Sequence, residues 1–494
     1  MQKKNGVFMK VCFDNKKYAK IQMAEILKRV ERFNGKLYLE FGGKLFDDLN
    51  AARILPGFKP DAKVGVLKAL KNKLEVIMVV ASHDIEGRRV RGDYGITYDK
   101  EVLRQIERIR SMGILVSSIV VTMYKGQKSV DIFVKKLKAL GEKVYIHKPI
   151  EGYPNDIDVI VSDKGYGANP YIKTSRPIVV VTAPGSGSGK MATCLSQLYH
   201  ENKRGNKCGY AKYETLPVWN LAPDHPVNIA YEASTADLED KNMVDPFHLQ
   251  AYGIKATNYN RDVESFPILN QILTKITGEE LYKSPTDMGI NMAGFAITDD
   301  EGCREASYKE ISRRYFRYEC EALTGAGTLK TAEVLRQIIK KNKKSIPVRK
   351  VEEAALERFK KSGKLCMAIE LDDGEIVTAE SSELLTAAAA IVLKALKKLA
   401  KLPKETQFLD KQTLHSLDEL KNFIGGSSGA KLELNDVLLV LASKATIDKD
   451  CALAYNMLPR LSYCDAHSSH MLTSSDQKVL KGLLISLSCQ PQTI

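Results

Sequence analysis

The stretch "PIVVVTAPGSGSGKMATC", residues 177–194, decides how this chain folds. An apolar run of strand character ends in three glycines, two serines and a lysine, and a helical segment begins after Gly189. A buried strand that turns through glycines into a helix is one half of a β-α-β unit. Glycines let successive N–H groups point into one concavity, and the following helix adds free N–H groups and the positive end of its dipole. Gly185, Ser186, Gly187, Ser188, Gly189 and Lys190 are therefore expected to hold a phosphate, with the lysine as a point charge. The common phosphate loop reads G-x-x-x-x-G-K-[ST]. Here Pro184 replaces its first glycine and Met191 its Mg²⁺-ligating hydroxyl. A standard P-loop nucleoside triphosphatase is not expected, and the plainer alternative is a glycine turn needed only for close strand–helix packing.

Upstream, the same alternation recurs. Helical periodicity covers 16–33, and strand "KLYLEF" follows. Then come a helix near 64–72, strand "LEVIMVV", helix 99–112, strand "ILVSSIVVTM", helix 128–140 and strand "KVYIH". "DVIVSD" reads as one more strand before the glycine loop. Continuous Val/Ile runs imply strands buried on both faces of a parallel sheet. The expected fold is α/β and multidomain. A Rossmann-like amino-terminal domain spans 1–285, a helical connector 286–345, and a smaller carboxy-terminal α/β subdomain 346–494. In that last part, "KLCMAIELDDGEIVTAES" reads as a hairpin. "SSELLTAAAAIVLKALKKLAKL" reads as a long helix capped by Ser381 or Ser382 and stopped by Pro403.

Ligands of parallel sheets lie beyond the carboxyl ends of the strands. The residues following the strands include Lys44, Asp47 and Asp48; then His83, Asp84, Arg88, Arg89, Arg91 and Asp93; then Asp163; and then the glycine loop. Arginines and lysines would neutralise phosphate charge, and aspartates would hold Mg²⁺ or serve as base. The loop-rich segment 212–237, with Lys212, Glu214 and Asp237, would cover the cleft. Such loop residues also have a plainer role, since Asp and Ser commonly cap helices. The dense set His225, Glu232, Asp237, Asp245 and His248 carries the same two readings. Cys464, His467 and His470 form C-x-x-H-x-x-H, which lacks a fourth zinc ligand at standard spacing.

The formal charge of +14 favours anionic partners. Its densest part, Lys340–Lys364, holds ten basic and three acidic residues and reads as a solvated helix face and linker. Only Phe359 interleaves there with charge, so nucleic acid is not expected as a partner. No apolar run is long enough to span a membrane. Nine scattered cysteines without an apolar leader read as reduced thiols in a cytoplasmic protein. The expected ligand is a phosphorylated small molecule or a nucleotide, most simply ATP with Mg²⁺. A homo-oligomer is left open.

"GKLYLEFGGKLFDDLNAARILPGFKPD", "VRGDYGITYD", "RPIVVVTAPGSGSGKMATCLSQLYHE", "YAKYETLPVWNL", "HPVNIAYEASTADLEDKNMVDPFHLQAYG" and "CDAHSS" resemble a bacterial family known as domain of unknown function 1846. The likeness runs over nearly the whole chain. It implies a bacterial cytoplasmic protein with an α/β amino-terminal part and a separate α/β carboxy-terminal subdomain. It brings no catalytic residues. It does imply that "GSGSGKM" is a family form of the loop, with Met191 expected there.

Overall fold

The computed structural model describes residues 11–91, 95–342, 346–425 and 431–492. The chain divides into two compact units, Val11–Ser307 and the part from Tyr308 onward.

The first unit is built on a seven-stranded sheet. Its strands are β1 (Leu37–Phe41), β2 (Leu74–Ala81), β3 (Leu115–Thr122), β4 (Val144–Ile146), β5 (Ile178–Thr182), β6 (Gly209–Tyr213) and β7 (Gly289–Ile290). They lie in the order β7-β6-β1-β5-β2-β3-β4, and every pairing is parallel. Strand β2 is buried at all eight positions and β5 at all five, because helices cover both faces. Each fully buried Val or Ile stabilises the fold by about 1.5–3 kcal/mol relative to exposure. The helices begin at local signals. Asp14 accepts the Lys16 and Lys17 N–H groups to open Asn15–Arg32, whose Tyr18, Gln22 and Ile26 face inward.

Two strand readings need correction. "DVIVSD" is not a strand: Ile157–Ile160 is a single helical turn, opened by the Asp156 carboxylate accepting from the Val159 N–H. The Asx-type cap offers the backbone a local partner that a strand ladder would have to displace. Conversely, Gly209–Tyr213, read as loop, is a fully buried strand. Its Lys212 conceals the pattern and is neutralised by Asp262, 2.9 Å away.

The connections place a crevice. The chain leaving β1 passes over β5 to β2, whereas the chain leaving β5 passes the other way, over β1 to β6. The order therefore reverses between β1 and β5, and ligands of open parallel sheets bind outside the carboxyl ends of strands at such a point.

The second unit has a four-stranded mixed sheet of β8 (Cys366–Glu370), β9 (Ile376–Glu380), β10 (Asp465–Ser468) and β11 (Ser486–Cys489) in the order β9-β8-β10-β11. Strands β8 and β9 form the antiparallel hairpin read from the sequence. The alanine-rich helix spans Ala387–Leu399, and its cap is Thr386, whose hydroxyl accepts from the Ala389 N–H, not Ser381 or Ser382. The helix therefore starts later than the capping pattern indicates.

Within this unit lies a buried polar cluster. The Arg349 guanidinium donates to Asp465 Oδ1 at 2.8 Å, to Ser312 Oγ at 3.3 Å and to Ser488 Oγ. Arg313 joins Asp465 to Glu310, which also accepts from Arg314. Burial opposes the Asp465 charge, but Arg349 and Arg313 outweigh it and hold the carboxyl below its usual range. His467 Nδ1 lies 3.3 Å from Arg349 Nη2, which can only donate, so Nδ1 is the acceptor. Burial, then the Arg349 charge, push this imidazole down to about 3, so it is neutral.

Candidate functional site

The glycine loop sits at the crevice between β1 and β5. Two hydroxyls fix its shape: Thr122 Oγ1 donates to the Ser188 carbonyl at 2.7 Å, and Ser188 Oγ to the Gly185 carbonyl at 3.0 Å. Gly189, the residue before helix Lys190–Lys203, has φ +84°. A Cβ there would also lie 3.0–3.1 Å from Thr122, so backbone and space both call for glycine. Among the described residues, the N–H groups of Gly185, Ser186, Gly187, Ser188 and Gly189 donate to no protein acceptor. No side chain caps the helix. Ser186 and Gly187 are exposed. The loop thus ends a buried strand with a row of uncommitted donors.

The Lys190 ammonium reaches back to the Gly185 carbonyl at 3.4 Å. Burial lowers its pKa, the Glu40 carboxylate opposes this, and Lys212 and Arg261 add to the lowering. Met191 packs against the hydrophobic core, so it is no Mg²⁺ ligand.

On the β2 side of the loop, Asp84 is buried in the short helix Ser82–Glu86 that follows the strand. Its Oδ1 accepts from Arg89 at 3.1 Å, and its Oδ2 has no protein partner. Arg89 stacks on Tyr98, and Tyr98 Oη would lie 2.3 Å from a Cβ at Gly185. Burial works against the Arg89 charge, but Asp84, Tyr98 and then Asp237 outweigh it. Asp84, Asp237 and the loop are therefore gathered around Arg89, whereas the sequence reading assigned charge neutralisation to its neighbours Arg88, which is exposed, and Arg91.

On the β6 side stands a second cluster. Lys212 donates to Asp262 Oδ2 at 2.9 Å. Burial opposes the Lys212 charge, but Asp262, Glu40 and Glu214 together raise its pKa. Glu40 also accepts from Tyr210 Oη at 2.5 Å. The Glu214 carboxyl is pushed up to about 8 by burial first, then by the like charge of Asp262, with Lys212 only partly compensating and Glu40 adding to the rise. Asp240 gives one oxygen to Arg261 at 3.2 Å and leaves the other unpartnered. Burial brings its carboxyl to about 6.

The Glu214 shift sets a stability expectation. Its folded pKa lies above the ordinary value of 4.5, so the folded state binds the extra proton between the two and loses stability as pH rises through that window. Glu214→Gln should raise Tm above wild type at pH 9, with the difference closing towards pH 4. A constant difference across that range would contradict the assignment.

The remaining expected residues lie elsewhere or serve other ends. Asp47 is held by Arg108 at 2.6 Å, and Asp48 caps helix Leu49–Ile54 while pairing with Lys63 at 2.8 Å. Neither carboxylate is left for Mg²⁺. Lys44 is half-buried in the same loop. Arg91 lies in a short antiparallel ribbon, Val90–Arg91 with Ile96–Thr97, and Asp93 lies outside the described residues. Asp163 is exposed and bonded by Tyr199 and Lys203 toward the far end of helix Lys190–Lys203, about 13–20 Å along its axis from Lys190. It does not share the crevice. His225, Asp245 and Glu232 are caps or loop anchors: His225 accepts from Val227 N–H, Asp245 from Phe247 and His248, and Glu232 from Asn242. His248 pairs with Ser284. No group of three or more side chains suited to a metal ion occurs among the described residues. None of their helices is long and apolar enough to cross a membrane.

Comparison with known proteins adds the family context. Residues 11–343 match the family described as domain of unknown function DUF1846, N-terminal, and residues 347–493 its C-terminal counterpart. A UPF0371 protein of Clostridium botulinum (strain ATCC 19397 / Type A) is 48% identical over 496 residues, covering 98% of each chain. A UPF0371 protein of Streptococcus sanguinis (strain SK36) is 46% identical over 487 residues, again covering 98% of each.

Proposed function

Because the chain belongs to the family of domain of unknown function DUF1846, whose description names no reaction, we propose a function from the crevice itself: an enzyme that binds a nucleotide or another phosphorylated small molecule and transfers a phosphoryl or nucleotidyl group. The observation that carries this reading is the row of uncommitted N–H groups from Gly185 to Gly189, set before a helix and beside Lys190 at the topological switch point. Group transfer of this kind needs mainly positioning and charge neutralisation. Lys190 and Arg89 supply positive charge from two sides of the loop. Mg²⁺ usually keeps several waters and takes one or two carboxylates besides the phosphates. The buried, unpartnered Asp84 Oδ2 fits that demand, whereas Asp47 and Asp48 do not.

Titration calorimetry with ATP, ADP and inorganic phosphate, each with and without Mg²⁺, tests this reading. Lys190→Ala should weaken binding roughly 10- to 150-fold, the loss of about 1.5–3 kcal/mol that a charge-assisted bond contributes. Unchanged affinity in a folded variant would remove the loop from the site. A second reading, a non-catalytic sensor of the same ligand, rests on the same loop. It is separated by turnover, since a sensor binds nucleotide without consuming it.

A further inference from the structure

The carboxyl of Glu214 stands apart from the other acids of the crevice. Glu40 has Tyr210, Asp262 has Lys212, Asp48 has Lys63 and Asp84 has Arg89. Glu214, among the described residues, has neither a hydrogen bond nor an ion pair through its side chain. Its position is nonetheless built. Its N–H donates to the Ile290 carbonyl at 3.0 Å, which fixes the backbone just beyond β6. A Cβ on Gly289 would lie 2.7 Å from Glu214 Oε2, and one on Gly42 would lie 3.9 Å from its Cγ. Gly289 thus makes room for this side chain at the carboxyl edge of the sheet. Nearby, Asp240 is 4% exposed, with one oxygen likewise unpartnered.

The titratable groups that face Glu214 come from five elements. They are Glu40 on β1, Lys212 on β6, Asp262 on helix Asn260–Thr277, Tyr231 on helix Pro226–Ser234, and Tyr259 on strand Thr257–Tyr259. Lys212, the one cation of this set, is already matched by Asp262 at 2.9 Å. The glycine loop follows β5, and β1 alone separates β5 from β6. Two inter-strand spacings put the loop about 10 Å from the end of β6. An anion on the loop therefore faces a half-buried carboxyl with no competing partner, across a gap spanned by Glu40 and Lys190.

We propose that Glu214 is the proton-carrying group of this site, so that a phosphate-bearing ligand settles on the glycine loop together with one proton held on the Glu214 carboxyl. The proposal rests on the reading of the loop as a phosphate site. Added negative charge at that distance in a partly desolvated crevice raises the affinity of the carboxyl for its proton. The neutral acid then adds no negative charge opposite the bound anion, as an ionised carboxylate would.

Sulfate is the suitable probe, because it keeps one charge state across the range tested. Calorimetry at pH 8.5 in two buffers of different ionisation heat gives the number of protons taken up on binding. For a carboxyl titrating near 8, wild type should take up about half a proton or more. Glu214→Gln should still bind sulfate, with that uptake removed and with affinity that falls less between pH 7 and pH 9. Glu214→Ala serves as a second variant that also lacks the acid. Wild-type uptake preserved in both variants would overturn the proposal and assign the proton to another titratable group beside the loop, such as Lys190 or Asp84. Sulfate binding without any proton exchange would overturn it while leaving the loop reading intact. Absence of sulfate binding by folded wild type would overturn both.

Discussion

Lys212→Met should destabilise the first unit by about 3–5 kcal/mol, the usual cost of removing one partner from a buried ion pair. The lysine side chain is 9% exposed and holds Asp262 at 2.9 Å inside a group that also contains Glu40 and Glu214. Without the ammonium, three carboxyl groups share one poorly solvated space, and their mutual repulsion drives proton uptake. Urea unfolding at pH 7.5 measures the loss, and it should shrink at pH 5, where the carboxyls protonate at less cost. The double variant Lys212→Met/Asp262→Leu should recover a large part of the stability, because a matched apolar pair leaves one fewer charge stranded. A single variant as stable as wild type would show that water reaches the cluster freely.

Arg349→Met should destabilise the second unit by a similar amount, about 3–5 kcal/mol. The arginine side chain is 1% exposed and donates to Asp465, Ser312, Ser488 and His467. Methionine fills much of the volume but offers no donor, so four acceptors lose a bond at once, and Asp465 keeps only Arg313. Hydrogen exchange resolved by segment provides the measurement. Faster exchange in Cys366–Glu370 and Asp465–Ser468, with the glycine-loop strand unaffected, is the expected pattern. Unchanged exchange in Asp465–Ser468 would count against a cooperative polar core.

Much of this architecture could be read from the chain because its central strands are written in Val and Ile. "LEVIMVV", "SSIVVT" and "IVVVT" admit few alternatives, and the glycine loop comes directly after the last of them. Gly209–Tyr213 escaped because its burial depends on a partner 50 residues away: a lysine in a strand looks solvated until Asp262 is placed beside it. "DVIVSD" misled for the converse reason, since its apolar content fits a strand while Asp156 starts a helical turn. The site divided in the same way. Lys190 and Asp84 were legible from their places just past strand ends, whereas Lys212 and Glu214 were named only as members of a loop expected to cover the cleft. Glu40 lies within a strand and Asp262 opens a distant helix, so neither announced itself locally. Arg89 was visible only as one of a cluster of arginines, and its packing on Tyr98 singles it out.

The order of strands also sets a timetable for synthesis. β1 finds both of its sheet neighbours, β5 and β6, only in chain made much later. At about 5–20 residues per second, the nascent chain carries β1 with both edges open for on the order of ten seconds before β5 emerges. β2 and β3 can pair with each other in that interval, but the centre of the sheet stays vacant until the segment 178–182 inserts. The glycine loop leaves the ribosome immediately behind that inserting strand, so no crevice exists before the sheet closes. A fragment ending near residue 170 would present unpaired strand edges, and its natural fate is capture by a chaperone or aggregation.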